Sequence, residues 1–304
     1  MIVNPTAGRG AATRALPQIR HRLAERFRED IVYFYTGARG QGEDLADAAI
    51  AGGASLIIAI GGDGTLHEVA NAILKSTSAG LTLGLIPFGT GNDFALGVGL
   101  ASGLDGAIEA LASGQPHAVD VGLIEGVGLG DGRKFLVAAG IGFVADTART
   151  VNEGVRGLSG PAAYVYGAVK TLRTFSPVEV TVSFDGRNPE TLEAMLMSIS
   201  NVATTGGGIK IAPGAEPDDG LFDICLVRKI SKARLLAKLP AAFVGKHVGD
   251  PAVTMLRATR IEVSTRTPCQ LWIDGEVLGA TPARFTILPK ALRMMLPARS
   301  RTRQ

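Results

Sequence analysis

Three glycine-rich segments of the chain carry polar side chains that could bind a polyanion. They are Asn4-Pro5-Thr6-Ala7-Gly8, Gly61-Gly62-Asp63-Gly64-Thr65 and Gly89-Thr90-Gly91-Asn92-Asp93, called here the first, second and third glycine loops. Backbone without Cβ atoms lets N–H groups approach a phosphate closely, and a helix N-terminus behind the loop adds a favourable dipole. Each loop alone is equally consistent with a tight strand-to-helix turn. Three such loops together favour a phosphate site.

Two of these loops also carry groups that suit a metal ion or a phosphate oxygen. Asp63 and Asp93 supply carboxylates, and Mg²⁺ prefers one or two carboxylates together with phosphate oxygens and water. Thr65 and Thr90 could donate hydroxyls to phosphate. Helix capping is the alternative role for all four side chains.

The common nucleotide fingerprints are missing from the sequence. No Gly-Lys-Ser/Thr run follows a glycine loop, and His67 stands where a GxGxxG motif would need its third glycine. The sequence therefore argues against a P-loop NTPase and against a Rossmann dehydrogenase.

Alternating strand and helix patterns place the glycine loops in the first third of the chain. Ile31–Tyr35, Leu56–Ile60 and Leu83–Pro87 are short apolar runs typical of buried parallel strands. Helical spacing lies between them, for example at Leu16, Ile19 and Leu23. This predicts a doubly wound α/β domain whose three glycine loops meet at the carboxyl edge of one sheet.

The pattern becomes mainly β beyond about residue 117. Short strands separated by turn signals such as Asp274-Gly275 alternate with two helices, Ala162–Phe175 and Lys232–His247. The predicted strands are His117–Ile124, Phe135–Ile141, Val178–Phe184, Met195–Asn201, Leu221–Val227, Arg260–Ser264, Gln270–Ile273 and Arg284–Ile287. We therefore predict two domains, residues 1–118 and 119–288, with residues 289–304 packing back on the first.

Composition limits the classes of partner and compartment. The 304 residues are 46% hydrophobic and 19% charged with a net charge of +3, which is too small for a chain-wide nucleic-acid surface. No apolar run approaches the roughly 18 residues that span a bilayer. Cys225 and Cys269 form neither a disulfide framework nor a zinc pattern, so we expect a reducing cytoplasm.

The glycine loops and several later motifs together resemble the diacylglycerol kinase catalytic domain of the bacterial soluble lipid kinases, which are related to sphingosine and ceramide kinases. The matching runs beyond the first two loops are Gly89–Ala95, Gly206–Pro213, Pro217–Asp223 and Asp274-Gly275-Glu276. The resemblance covers nearly the whole chain. It implies an N-terminal nucleotide domain similar to that of NAD kinases and phosphofructokinases, a C-terminal β-sandwich, and an active site in the cleft between them.

The resemblance also implies a set of site residues, with ATP and Mg²⁺ as cofactors. Asp63 and Asp93 would belong to the metal and phosphate network, and Glu276 would be the base that takes the proton of the acceptor hydroxyl. The nucleotide would be contacted by Asn4, Thr6, Gly8, Thr36, Gly61, Gly62, Asp63, Gly64, Thr65, Leu66, His67, Thr90 and Asn92. A structural Mg²⁺ would be held by Glu216, Asp219 and the Leu221 carbonyl, and Glu216 departs from the small polar residue common in relatives.

Two side-chain groups of the sequence bear on a lipid acceptor, and each has a simpler interpretation. The helix with Tyr164, Val165, Val169 and Leu172 could form the wall of an apolar cleft or pack in the core. The basic helix could face anionic headgroups or be a solvated surface; its arginines are Arg14, Arg20, Arg22, Arg26 and Arg28. We expect Trp272 to pack in the core.

The resulting hypothesis is a cytoplasmic, membrane-peripheral lipid kinase of phospholipid metabolism. It would transfer the γ-phosphate of ATP to a hydroxyl of diacylglycerol or a related lipid at the membrane surface. A kinase of a soluble acceptor such as NAD stays open, because Gly61–Thr65 alone is shared with that group. A nucleotide-sensing module without turnover is the non-enzymatic alternative. We expect no nucleic-acid partner, and a homodimer is possible.

Overall fold

The structure, a computed structural model, describes residues 1–27, 31–100, 103–154 and 161–297, except for the side chain of Pro161. The chain forms two units. The first contains Met1–Val119 and the segment that begins at Lys290, and the second contains Asp120–Pro289.

Parallel strands form the sheet of the first unit. They are β1 (Ile2–Val3), β2 (Phe34–Tyr35), β3 (Leu56–Gly61) and β4 (Thr82–Pro87). Their order is β2-β1-β3-β4, and all neighbouring pairs are parallel. The last part of β14 (Glu276–Leu296) adds a parallel pairing of Met294 with Leu83.

Helices connect these strands, and the apolar spacing predicts the first three of them. They are α1 (Ala7–Arg26), α2 (Gln41–Ala51), α3 (Asp63–Lys75), α4 (Asp93–Gly97) and α5 (Gly103–Ser113). Ile19 and Leu23 of α1 are fully buried in one apolar cluster with Ile58, Ile60 and Ile86 of the sheet. This pattern of alternating elements brings the carboxyl ends of β1, β3 and β4 to one edge.

Antiparallel strands dominate the second unit. They are β5 (Gln115–Val127, which begins in the first unit), β6 (Arg133–Phe135), β7 (Ala138–Gly142), β8 (Val178–Phe184), β9 (Glu190–Ser200), β10 (Phe222–Arg228), β11 (Val253–Ala258), β12 (Arg260–Thr265), β13 (Gln270–Ile273) and the first part of β14. One path of neighbours runs β11-β10-β9-β7-β13-β14. A second runs from β9 through β8 and β12 to β14, and β5 pairs with β6.

Alternating side chains of the second unit fill two apolar clusters. Ile224 and Leu226 of β10 face one cluster, whereas Cys225 and Val227 face the other. The second cluster is covered by α6 (Phe143–Asn152), α7 (Pro161–Thr174) and α8 (Lys232–Phe243). A short 3₁₀ helix, Lys246–Gly249, follows α8. None of the described helices is long and apolar enough to cross a bilayer.

The structure corrects several predicted elements. The predicted strand Phe135–Ile141 is two strands, because the backbone N–H groups of Leu136 and Val137 donate to the Asp274 carboxylate instead of a neighbouring strand. The predicted helix Lys232–His247 ends at Phe243, since Gly245 has a φ of 73°. Strand Ile31–Tyr35 is reduced to its last two residues.

Two elements of the second unit have no counterpart in the prediction. They are α6 and β11. In addition, the predicted strand Arg284–Ile287 is only the middle of the much longer β14.

Candidate active site

Backbone contacts join the three glycine loops of the first unit. A Cβ atom placed on Gly62 would lie 2.8 Å from the Gly89 Cα atom, and one on Gly89 would lie 2.6 Å from the Gly62 Cα atom. Gly8 has a φ of 57°, and a Cβ atom there would lie 2.7 Å from the Phe88 carbonyl oxygen. The second and third loops therefore touch through glycine backbone, and the first loop reaches the end of β4.

Asn4 links the first loop to the second. Its backbone N–H donates to the Ile60 carbonyl at 2.9 Å, and its Nδ2 donates to Thr65 Oγ1 at 3.2 Å. Its Oδ1 accepts from the backbone N–H and the hydroxyl of Thr6, at 3.1 and 2.8 Å. One amide side chain thus fixes both the turn that follows β1 and the first turn of α3.

Asp63 links the second loop to the third. Its two carboxylate oxygens accept from the backbone N–H groups of Asp93 and Phe94, each at 3.1 Å. Asp63 therefore does cap a helix, which is the simpler role expected for this residue type. The helix that it caps is α4, not its own helix α3. Each oxygen can accept a further hydrogen bond or contact a cation.

The third loop is closed by Asn92. Its Oδ1 accepts from the Gly89 N–H at 2.7 Å, and its Nδ2 donates to the Gly89 carbonyl at 3.0 Å. Asn92 also has a φ of 53°, a conformation that asparagine tolerates better than most residues. The side chain therefore shapes the loop, which agrees with a positioning role.

Burial separates the predicted nucleotide residues into two groups. Thr6, Gly64 and Thr90 are exposed, and Asn4, Thr36, Gly62 and Asp63 are half-buried. By contrast, Leu66 and His67 are 1% and 5% exposed, so their side chains belong to the core of the unit. The geometry thus brings together the predicted loop residues, while nucleotide binding at each of them stays a prediction.

A tight turn in the second unit presents Glu276. Asp274 and Gly275 have φ values of 44° and 92°, as a two-residue hairpin of type I′ requires, and Ile273 pairs with Glu276 across it. The buried Asp274 carboxylate accepts from three backbone N–H groups, those of Leu136, Val137 and Ala138, at 2.8 to 3.1 Å. The turn is therefore anchored beside a half-buried glutamate.

Asn152, at the end of α6, holds the same turn from another side. Its Nδ2 donates to the Gly275 carbonyl at 2.9 Å. Sequence reasoning missed this residue because α6 was not predicted. The helix is only ten residues long, and its buried side chains are Phe143, Ala145, Thr147 and Ala148.

A largely apolar cavity lies within the second unit, between α6, α7 and α8 and the strands beneath them. Tyr164 and Val165 line it, as expected for the wall of an apolar cleft. Leu172 instead packs in the core, and Val169 is 39% exposed to solvent. The helix was therefore predicted correctly, but only some of the residues predicted to form the apolar wall line the cavity.

The residues expected to hold a structural Mg²⁺ lie in the segment before β10. Asp219 Oδ1 accepts from the Leu221 N–H at 3.1 Å, and its Oδ2 forms an ion pair with Arg257. Arg257 Nε also lies 3.5 Å from Asp223 Oδ2. Burial and the nearby charge of Glu216 raise the pKa of Asp223 to about 6. A guanidinium thus already supplies positive charge at Asp219.

This arrangement does not favour a second cation beside Arg257. Within the described ranges there is also no group of three or more acidic, histidine or cysteine side chains placed to hold a metal ion. Asp63 is half-buried and Asp93 is 6% exposed. Two carboxylates suffice for Mg²⁺ when phosphate oxygens complete the shell, so magnesium at this pair stays a prediction.

The basic helix α1 directs several arginines to neighbouring elements. Arg22 forms an ion pair with Asp105, and Arg26 Nη2 lies 3.3 Å from Glu109 Oε2. Arg20 donates to the Tyr35 hydroxyl at 2.6 Å and stacks over the Tyr33 ring. Arg28 lies outside the described residues. These pairs favour a role within the unit over a headgroup-binding surface.

Family models account for nearly all of the chain. The diacylglycerol kinase catalytic domain matches residues 1–124, and the YegS C-terminal NAD kinase β-sandwich-like domain matches residues 136–296. The chain belongs to the diacylglycerol kinase family, and its fold is the corresponding pair of an NAD kinase-like domain and a β-sandwich-like domain.

Individual relatives are similar to this chain over nearly its full length. A protein named diacylglycerol kinase from Bacillus subtilis (strain 168) is 30% identical over 298 residues, which cover 98% of this chain and 95% of that protein. One from Staphylococcus epidermidis is 32% identical over 297 residues, 98% of this chain and 91% of the relative. The crystal structure of a diacylglycerol kinase from Bacillus anthracis str. Sterne superposes with a TM-score of 0.74 at 25% identity, covering 97% and 95% of the two chains.

Proposed function

We propose that this protein is an ATP-dependent lipid kinase that transfers the γ-phosphate of ATP to a hydroxyl of a diacylglycerol-like lipid. Family membership supports the class of reaction. One observation supports the acceptor most strongly: α6 lines an apolar cavity and also holds the turn that carries Glu276. A base and an apolar binding surface that are linked through one helix are what a lipid hydroxyl would need.

The glycine loops would hold the triphosphate. Phosphoryl transfer needs little covalent chemistry from a protein, but it needs the phosphates fixed and their charge neutralised. The absence of Cβ atoms at Gly62 and Gly89 lets the second and third loops touch, and the open space beside Gly64 leaves room for a phosphate next to the backbone of the second loop. Mg²⁺ bound with the nucleotide would be held by Asp63 and Asp93 and would neutralise phosphate charge.

Glu276 would act as the general base. The carboxylate takes the proton from the acceptor hydroxyl while the hydroxyl oxygen forms a bond to the γ-phosphorus, and the bond from that phosphorus to the bridging oxygen of ADP breaks. The products are the lipid phosphate, ADP and the protonated carboxyl group. The Asp274 and Asn152 hydrogen bonds restrict the turn, so the base would be positioned before the substrate binds.

The acceptor would reach the protein from a membrane surface. Six of the large apolar side chains exposed among the described residues lie on α7, on α8 or just after α8. They are Val165, Tyr166, Val169, Leu236, Val244 and Val248, 39% to 60% exposed. Exposed Lys170 and Lys246 lie on the same segments. Since α7 and α8 also line the cavity, an apolar surface with nearby lysines suits docking on an anionic bilayer.

The acceptor class is tested by incubating the protein with ATP labelled at the γ-phosphate and separate acceptors. Dioctanoylglycerol in mixed micelles, NAD and micelles without lipid form the three arms. We expect label in the chloroform-soluble lipid phosphate only. Labelled NADP would establish the soluble-acceptor alternative, and nucleotide binding without transfer to any acceptor would establish the sensing alternative.

A further inference from the structure

The segment that joins β2 to α2 is a fourth glycine-rich connection at the carboxyl end of a strand in the first unit. It comprises residues 36–42 and is called here the β2–α2 segment. The N–H group of its Thr36 donates to the Val3 carbonyl at 2.9 Å, directly before Asn4 of the first glycine loop. The segment therefore begins at the same edge of the sheet as the three glycine loops.

Glu68 joins this segment to the helix of the second glycine loop. It lies in α3, directly after His67, and is half-buried. Its Oε1 accepts from the Gly40 N–H at 2.9 Å, and its Oε2 accepts from the Gly42 N–H at 2.8 Å. Gly40 precedes α2, and Gly42 lies in the first turn of that helix. A carboxylate of one helix therefore caps the N-terminus of another, where a negative charge is favourable.

A side chain of the segment itself occupies two more of its backbone donors. Gln41 Oε1 accepts from the N–H groups of Gly37 and Ala38, at 2.7 and 3.0 Å. These hydrogen bonds use N–H groups that a phosphate-binding loop would present to its ligand. The segment is therefore shaped by the chain's own acceptors, and its contribution to nucleotide binding would come from the surface around Thr36.

The order of the strands indicates which part of a nucleotide this surface would meet. The second and third glycine loops touch each other and follow the neighbouring strands β3 and β4, whereas β2 lies beyond β1. Neighbouring strands are about 4.8 Å apart, so the end of β2 lies roughly 10 Å from the end of β3. A nucleotide with its triphosphate on the two touching loops, extending along the edge past the first loop, would bring its nucleoside to Thr36.

We propose that Glu68 is a positioning residue for the nucleoside part of ATP. By holding the β2–α2 segment against α3, it fixes Thr36 relative to the second glycine loop. The proposal rests on ATP as the phosphate donor of the proposed function and adds to it a residue outside the predicted nucleotide contacts. Without the two hydrogen bonds of Glu68, the nucleotide itself would have to order the segment, which lowers the affinity for ATP.

Two variants perturb the same carboxylate from opposite sides. Glu68→Gln keeps the size of the side chain but replaces one acceptor oxygen by an amide group that cannot accept. In Gly42→Ala, the new Cβ atom would lie 2.5 Å from Glu68 Oε2, so the end of that flexible side chain must move away from the Gly42 N–H. Asp44→Asn removes an exposed carboxylate from the first turn of the same helix α2 and is the matched control.

Calorimetric titration measures the Kd for ATP and the Kd for inorganic tripolyphosphate, each with Mg²⁺, and steady-state kinetics give the KM for ATP and kcat. We expect the Kd and the KM for ATP to rise by roughly fivefold to tenfold in Glu68→Gln and in Gly42→Ala, the effect of weakening about one hydrogen bond to a charged group. The Kd for tripolyphosphate and kcat at saturating ATP should stay within about twofold of the wild type, because the phosphate loops are unchanged. Asp44→Asn should match the wild type in all four constants.

Two results would overturn the proposal. One is a wild-type Kd for ATP in either variant. The other is an equal loss of affinity for ATP and for tripolyphosphate, since that would be general damage to the first unit and not a defect at the nucleoside.

ATP binding separates this proposal from the proposed function. If both variants lose affinity for ATP but the wild type transfers phosphate to no acceptor, Glu68 keeps its positioning role and the kinase assignment ends. If the wild type phosphorylates dioctanoylglycerol and both variants keep its KM for ATP, the kinase assignment stands and the role of Glu68 is wrong.

Discussion

Replacing Gly62 by alanine should destabilise the protein and weaken nucleotide use, because the new methyl group has no room. Gly62 has φ −97° and ψ −169°, which alanine adopts without strain. The effect of the substitution therefore comes from contact alone. The Cβ atom would lie 2.8 Å from the Gly89 Cα atom, well inside the 3.4 Å at which ordinary contact begins.

The magnitude follows from what the methyl group meets. It meets backbone, not a side chain that can rotate away, so the second and third loops must move apart. Overpacking of this kind costs about 1–3 kcal/mol. In a unit of this size each 1 kcal/mol lowers the melting temperature by roughly 2–4 °C. The same movement would disturb the hydrogen bonds from Asp93 and Phe94 to Asp63 and should raise the KM for ATP.

Gly64→Ala in the same loop is the informative comparison. Gly64 is exposed and lies in the first turn of α3, and a methyl group added there would have no protein atom within 4 Å. Alanine is favoured over glycine inside helices by about 1 kcal/mol, so the melting temperature should not fall. If phosphate occupies the open space, the KM for ATP should rise nonetheless.

Calorimetric melting and ATP titration of lipid phosphorylation measure both quantities for each variant. Gly52→Ala, whose methyl group would have no neighbour closer than 3.4 Å, is the control for a glycine outside the site. The reasoning fails if Gly62→Ala keeps both the wild-type melting temperature and the wild-type KM for ATP. A Gly64→Ala variant with an unchanged KM would show that the nucleotide does not approach this loop.

Three further predictions concern the second unit. Asp274→Asn should lower kcat by tenfold or more with the KM for ATP unchanged, because the substitution weakens the three hydrogen bonds that anchor the turn before Glu276. Steady-state kinetics measure both constants, and an unchanged kcat would contradict this prediction. In the Arg257→Gln variant, which lacks the guanidinium that pairs with Asp219 and Asp223, the melting temperature should rise with added Mg²⁺. The melting temperature of the wild type should not depend on Mg²⁺. A wild type that melts at a lower temperature in EDTA would instead support the structural Mg²⁺ site predicted from the sequence. Burial lowers the pKa of His247, so the folded protein disfavours its charged form, and stability should fall as the pH drops below the unfolded value of about 6.5. Between pH 7.5 and 5, the free energy of unfolding measured with denaturant should fall less for His247→Gln than for the wild type. An equal fall in both proteins would contradict this prediction.

The glycine loops could be predicted because their positions follow from local patterns. Apolar runs such as Leu56–Ile60 identify parallel strands, and the carboxyl ends of such strands meet at one edge. The contact between Gly62 and Gly89 is a direct result. The identity of the helix that Asp63 caps could not be predicted, since its own helix and α4 offer equivalent N–H groups.

The elements that position Glu276 depend on contacts between distant parts of the sequence. The break between β6 and β7 exists because the Leu136 N–H donates to Asp274, which is 138 positions away along the chain. No local signal marks it. Trp272 was expected to be core packing, and it is 3% exposed. The lack of a hydrogen-bond partner for its buried Nε1 could not be predicted from the sequence.

The most direct measurement of the central claim is the rate of phosphate transfer from ATP to dioctanoylglycerol by Glu276→Gln. Glu179→Gln, a substitution at an exposed glutamate of β8, is the matched control. We predict that Glu276→Gln loses at least about 100-fold in kcat while its affinity for ATP stays at the wild-type value, and that Glu179→Gln retains full activity. Activity of Glu276→Gln within a few-fold of the wild type would contradict the assignment of Glu276 as the base.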